Sequence, residues 1–104
     1  MIRVIYRWRL DEGRAPDFAA WWHEGTLRIR STQPGAMGST LLRPTEEANC
    51  LVGVARWESK DELTSFWERM SPLAFPGADL LSLEVLEEVD HLTLEGDAPA
   101  SGDP

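Results

Sequence analysis

Val52-Gly53-Val54-Ala55-Arg56-Trp57, followed after four intervening residues by Glu62-Leu63-Thr64-Ser65-Phe66-Trp67, restates a pattern met at the start of the chain. There, Val4-Ile5-Tyr6-Arg7-Trp8 precedes Asp17-Phe18-Ala19-Ala20-Trp21-Trp22. Each copy is a β-like run ending in Arg-Trp. Each then opens a helix with an acid, an apolar residue, two spacers and an aromatic pair. The first copy has the longer strand-to-helix connection. Two strand–helix units, each completed by one more strand, give the order β-α-β-β-α-β of a small α+β domain.

The flanking segments fit that order. Ile2, Val4, Tyr6, Trp8 and Leu10 alternate with Arg3, Ile5, Arg7 and Arg9, so the first strand has one buried face and one wet or paired face. Pro16 and Asp17 suit the first turn of a helix, where a missing N–H costs nothing and a carboxylate meets the positive end of the dipole. Phe18, Trp22, Gly25 and Ile29 fall on one helical stripe, and Pro34-Gly35 ends it. Met37 to Arg43 reads as a second strand, Pro44 to Asn49 as a polar hairpin loop, and Cys50 to Trp57 as the most apolar strand. Ser59-Lys60-Asp61-Glu62 is a capping box, which starts a second helix with Leu63, Phe66, Trp67 and Met70 inward. Ser71 to Gly77 is a loop that either covers a pocket mouth or simply connects. Leu80 to about Leu94 holds a fourth strand long enough to bend or to reach a neighbouring subunit. The domain then spans residues 1–95, and residues 96–104, small, polar and rich in Pro and Gly, are expected to form a disordered tail.

This order allows one four-stranded antiparallel sheet, strand order 4-1-3-2, with two helices on one face. The Arg-rich first strand then lies beside the acidic fourth, with Glu84, Glu87 and Glu88. The other sheet face is left bare, which invites a two-fold partner, so a homodimer is expected.

Composition narrows the function. A chain of 104 residues makes one domain. Five tryptophans are many for that length and mark a core, an interface or an apolar pocket. The net charge of −8 argues against nucleic acid and anionic membrane as partners. It is lopsided: residues 1–43 hold seven basic and four acidic side chains, and residues 44–104 hold three basic and fourteen acidic ones. Either the two halves neutralise each other across the fold, or the basic half attracts an anionic ligand. Cys50 is the single cysteine, so no internal disulfide forms, and its apolar run makes it a small hydrophobe in a strand. Neither a signal peptide nor a membrane-length apolar run is apparent, which makes cytoplasm the expected location. The two histidines belong to no ligand cluster, and no phosphate loop, nucleophile elbow or dinucleotide fingerprint occurs. No metal or other cofactor is expected.

Ala55-Arg56-Trp57-Glu58-Ser59, running into Lys60-Asp61-Glu62-Leu63, resembles the antibiotic biosynthesis monooxygenase (ABM) family over residues 1–94. The resemblance implies a ferredoxin-like domain of the dimeric α/β-barrel superfamily. It also implies cofactor-independent oxidation of a flat phenolic, polyketide-like molecule by molecular oxygen, with the substrate between the curved sheet and the helices. Trp57 matches the family's strand-three tryptophan. Catalytic members carry an asparagine four residues before it, on the same strand face. Gly53 stands there in this chain, so the side chain that would hydrogen-bond substrate or oxygen species is absent. A haem-degrading branch ligates iron through a histidine on or near the second helix. Ser59 to Gly77 contains none, and His91 comes too late, so haem chemistry fits poorly.

The candidate site follows. Trp57 would wall an aromatic pocket, or else pack in the core under the second helix. Gly53 on the same face would leave open space, or let a helix approach closely. Tyr6 and Trp8 share the apolar face of the first strand. Tyr6 would donate a hydrogen bond to a substrate oxygen, or satisfy itself on backbone or water. Trp22 completes the expected pocket. His23 is the natural general base near neutral pH, although its place off the centre of the buried stripe also fits a solvent-facing side chain. Arg7 and Arg56, on the face opposite the tryptophans, would meet glutamates or a partner subunit, or, if turned inward, hold a phenolate or carboxylate. The expected activity is that of a cofactor-free monooxygenase. The alternatives are a non-catalytic dimeric binding or accessory domain, and a proton-transfer isomerase or cyclase on the same fold.

Overall fold

The alternation in the first strand decides which face of the sheet is buried. In the computed structural model, which describes residues 1–69 and 75–92, β1 (Ile2–Leu10) buries Ile2, Val4, Tyr6, Trp8 and Leu10 and turns Arg7 and Arg9 to solvent. It is followed by α1 (Ala15–Thr32), β2 (Ala36–Leu42), β3 (Cys50–Trp57), α2 (Lys60–Arg69) and β4 (Ala78–Glu87). The four strands form one antiparallel sheet in the order β2-β3-β1-β4, as the sequence predicts.

Register carries the functional face. Ile2 lies opposite Trp57, Val4 opposite Ala55 and Tyr6 opposite Gly53, so these residues share the side of the sheet covered by the helices. On the other flank of β1, Tyr6 faces Leu83 and Val4 faces Val85 of β4. The β2–β3 ladder is irregular between Ala36 and Ser39, beside Gly38.

Phe18 anchors α1. Its ring lies 5.2 Å from Trp8, 5.3 Å from Trp21 and 6.1 Å from Trp22, centroid to centroid. Leu63 and Phe66 anchor α2. Val4, Trp8, Phe18 and Leu63 are the most completely buried of the large side chains. Burial of such a side chain contributes about 1.5–3 kcal/mol. The Ser59 hydroxyl accepts from the Glu62 backbone N–H at 3.2 Å, the cap predicted for α2. α1 starts at Ala15 with Pro16 in its first turn, and its N-terminus has no side-chain cap.

β4 ends at Glu87, short of the predicted limit near Leu94. The reason is that its partner runs out: Ile2 pairs with Glu87, and the Glu88 N–H then donates to the Met1 carbonyl at 2.9 Å. Met70, residues 71–74 of the expected loop, Leu94 and the expected tail over 96–104 lie outside the described residues. On the face away from the helices, Glu88 accepts from Arg3 Nε at 2.6 Å and from Arg56 Nε and Nη2 at 2.9 and 3.2 Å. Arg56 thus meets a glutamate. These bonds, those from Arg56 foremost, hold the Glu88 carboxyl down from its ordinary 4.5 to about 2. Among the described residues, no helix is long and apolar enough to cross a membrane.

Candidate functional site

A cavity of about 610 Å³ lies between α1, the β2–β3 side of the sheet and α2. Tyr6, Trp21, Trp22, Ile29, Trp57 and Phe66 give it an apolar wall. Arg28, Arg30, Arg56 and Arg69 are its charged lining residues. Among the described residues, no histidine, aspartate or glutamate lines it.

Gly53 is the hinge of the arrangement. The six-membered ring of Trp22 sits directly over it, so a Cβ at this position would lie 2.6 Å from both Cη2 and Cζ2. The open space expected above Gly53 is therefore filled by an indole from α1. Of the two readings of that glycine, close approach is the one realised. The Trp22 Nε1–H donates to Ser39 Oγ at 2.8 Å, and Ser39 Oγ shares a further 2.8 Å hydrogen bond with Thr26 Oγ1. This small polar chain ties α1 to β2 beside the cavity.

Tyr6 meets the edge of Trp22, with centroids 5.6 Å apart and planes at 73°. Burial pushes the Tyr6 phenol up, with a hydrogen bond from the Trp67 side chain opposing. The neutral phenol is thus the favoured form.

Of the residues predicted for the site, Tyr6, Trp22 and Trp57 line the cavity together. Trp57 is only 4% exposed, with its ring 5.1 Å from that of Phe66, so it is a core residue that also contributes wall. Trp8 is not among the lining residues. It packs against Tyr6 and Phe18, and its buried Nε1 has no partner among the described residues. His23 is exposed and lines a neighbouring recess that shares Thr26, Arg30 and Ser39 with the cavity. Consecutive helical residues diverge by about 100°, so with Trp22 turned onto the sheet, His23 turns away. The sequence reading missed Thr26, Arg30, Ser39 and Phe66. One signal was present: Trp22, Thr26 and Arg30 recur every four residues and share a helical stripe.

Element order, strand order and register define a ferredoxin-like α+β domain with an aromatic cavity between sheet and helices. A family model described as antibiotic biosynthesis monooxygenase matches residues 1–71. The chain belongs to that family. Among solved structures, it is similar to the haem-degrader MhuD of Mycobacterium tuberculosis, with two haems bound in its active site. That match has a TM-score of 0.69 at 21% identity, over 89% of this chain and 100% of that one. It is also similar to SnoaB of Streptomyces nogalater, a cofactor-independent oxygenase, at 0.61 and 22% over 88% and 95%. A third similar structure, a putative antibiotic biosynthesis monooxygenase of Deinococcus radiodurans, gives 0.68 and 12% over 92% and 100%. At these identities, the likeness establishes the fold alone. No curated protein matches the chain.

Proposed function

We propose that this chain binds a flat, phenolic, polyketide-like molecule in the cavity beneath α1 and oxidises it with molecular oxygen, without a cofactor. The observation that carries the reading is the aromatic wall: Tyr6, Trp21, Trp22, Trp57 and Phe66 surround one cavity of about 610 Å³. Planar rings stack well on such surfaces, and the volume suits a small molecule. Family membership and the fold shared with an oxygenase support oxygen chemistry.

In the reaction, a ring C–H carbon of the phenol becomes a carbonyl. One oxygen atom of O2 enters the quinone product. The other leaves as water with the ring hydrogen and the phenolic hydrogen, and all the electrons come from the substrate. The protein contributes desolvation and orientation. Tyr6, kept neutral by burial, donates to a substrate oxygen, and Trp8 positions Tyr6 through their stacked rings. The arginine-rich lining favours the phenolate, whose proton passes to water. His23 lies outside this cavity and is assigned no part in the step. Haem is not proposed as a ligand, because neither histidine lines the cavity.

A second reading, a non-catalytic binding domain, is favoured by the lack, among the described residues, of any imidazole or carboxylate in the lining. The same observation disfavours a proton-transfer isomerase or cyclase. The working unit proposed is a homodimer, supported by the apolar side chains that β4 leaves exposed. Cytoplasm remains the proposed location.

Titrating the protein with anthrone and naphthols, while following tryptophan fluorescence and dissolved oxygen, tests these readings. Saturable quenching with oxygen uptake supports the monooxygenase. Quenching without uptake favours the binding domain, and no quenching by any of them overturns both.

A further inference from the structure

We infer that Arg30, with the hydroxyls of Thr26 and Ser39, forms a carboxylate subsite in this cavity, so that the natural ligand is an aromatic acid. The inference rests on the reading that the cavity takes a flat aromatic.

The first observation is charge. The chain carries −8, yet among the described residues the charged side chains lining its aromatic cavity are four arginines. Arg56 is committed to Glu88, and Arg69 donates to the Gln33 side chain. Among the described residues, Arg28 and Arg30 make no ion pair. Mutual neutralisation of the two halves of the chain accounts for Arg3, which also pairs with Glu88, but not for Arg28 and Arg30.

The second observation is placement. Trp22, Thr26 and Arg30 follow one another along one stripe of α1. Opposite them runs Gly38-Ser39 of β2. Arg30 Cδ lies 3.5 Å from where a Cβ on Gly38 would sit, and Ser39 Oγ bonds both Trp22 and Thr26. A ring surface, a hydroxyl pair and a guanidinium thus succeed one another over about 12 Å of helix, the length of a two- or three-ring acid.

The third observation is a count of protons. The Trp22 N–H, the Ser39 O–H and the Thr26 O–H are three hydrogens, and they share two hydrogen bonds among themselves. Whichever hydroxyl donates within the pair, one hydroxyl hydrogen is left over, beside the cavity that both residues line. A carboxylate accepts it while Arg30 supplies the opposite charge. An uncharged ligand group could accept the hydrogen but would gain nothing from the charge of the guanidinium.

The probes are a hydroxynaphthoate and its neutral isostere, the matching hydroxynaphthamide, each titrated calorimetrically into the intact protein. The acid is expected to bind about tenfold more tightly than the amide, the scale of one charge-assisted contact. Arg30→Gln should remove that preference. Arg30 is exposed, and an unchanged melting temperature in the variant checks its fold. Equal binding of acid and amide to the wild type, or a preference that survives Arg30→Gln, would overturn the subsite while the aromatic cavity stands. Failure of both probes to bind would overturn the cavity reading and the subsite with it.

Discussion

Trp22 and Gly53 form one steric unit. The indole occupies the volume that a side chain at position 53 would need, and glycine is what lets it in. The wall of the cavity at this point is thus a ring from the helix and not a side chain from the sheet. Placing an asparagine there should therefore harm the protein. Gly53→Asn is expected to destabilise the fold by about 1–3 kcal/mol, because a packed ring must move. Trp22→Ala in the same chain should recover part of that loss. Urea denaturation of the two single variants and the double variant measures the coupling. Additive effects would mean that the two side chains do not compete for one space.

At the scale of elements, Glu88 stitches the sheet together just beyond β4. It holds Arg3 of β1 and Arg56 of β3 from a side chain 12% exposed. Its carboxyl titrates lower in the folded chain than in the unfolded one, so folding favours the ionised form. The stabilisation is complete above about 4.5 and fades as the pH falls toward 2. Glu88→Gln should lower the melting temperature most near neutrality, and the gap to wild type should close on acidification. A gap that stays constant from neutral pH to pH 2 would assign the effect to packing instead. The register of β4 also shows why the predicted long strand stops early: its ladder lasts only as long as β1 does.

For the whole molecule, β4 is the unfinished edge. Leu81, Leu83, Val85 and Leu86 are 47, 40, 37 and 42% exposed on a strand that has a neighbour on one side only. Apolar side chains on both faces of an open edge strand invite a second copy. Sedimentation should give a particle of twice 11.7 kDa, and Leu86→Glu, on the face away from the helices, should shift it toward the single-chain mass. A wild-type protein that sediments as one chain would sink the dimer.

The architecture was legible in the sequence because its signals are local. The alternation of Ile2 to Leu10, the repeated strand-to-helix pattern and the Ser59 cap each operate among near neighbours, and together they determine element order and buried face. Tyr6, Trp22 and Trp57 could be grouped for the same reason, since each sits on an inward face. What the tertiary structure alone decided is how space is divided among residues distant in the chain. Trp22 fills the room above Gly53, Trp8 is sealed beneath its neighbours, and the phase of α1 turns His23 away. Arg30 reaches Gly38 only because α1 packs along β2. Periodicity says which face a side chain takes. Close packing decides which of the side chains on that face occupies a given volume, and that competition spans the fold.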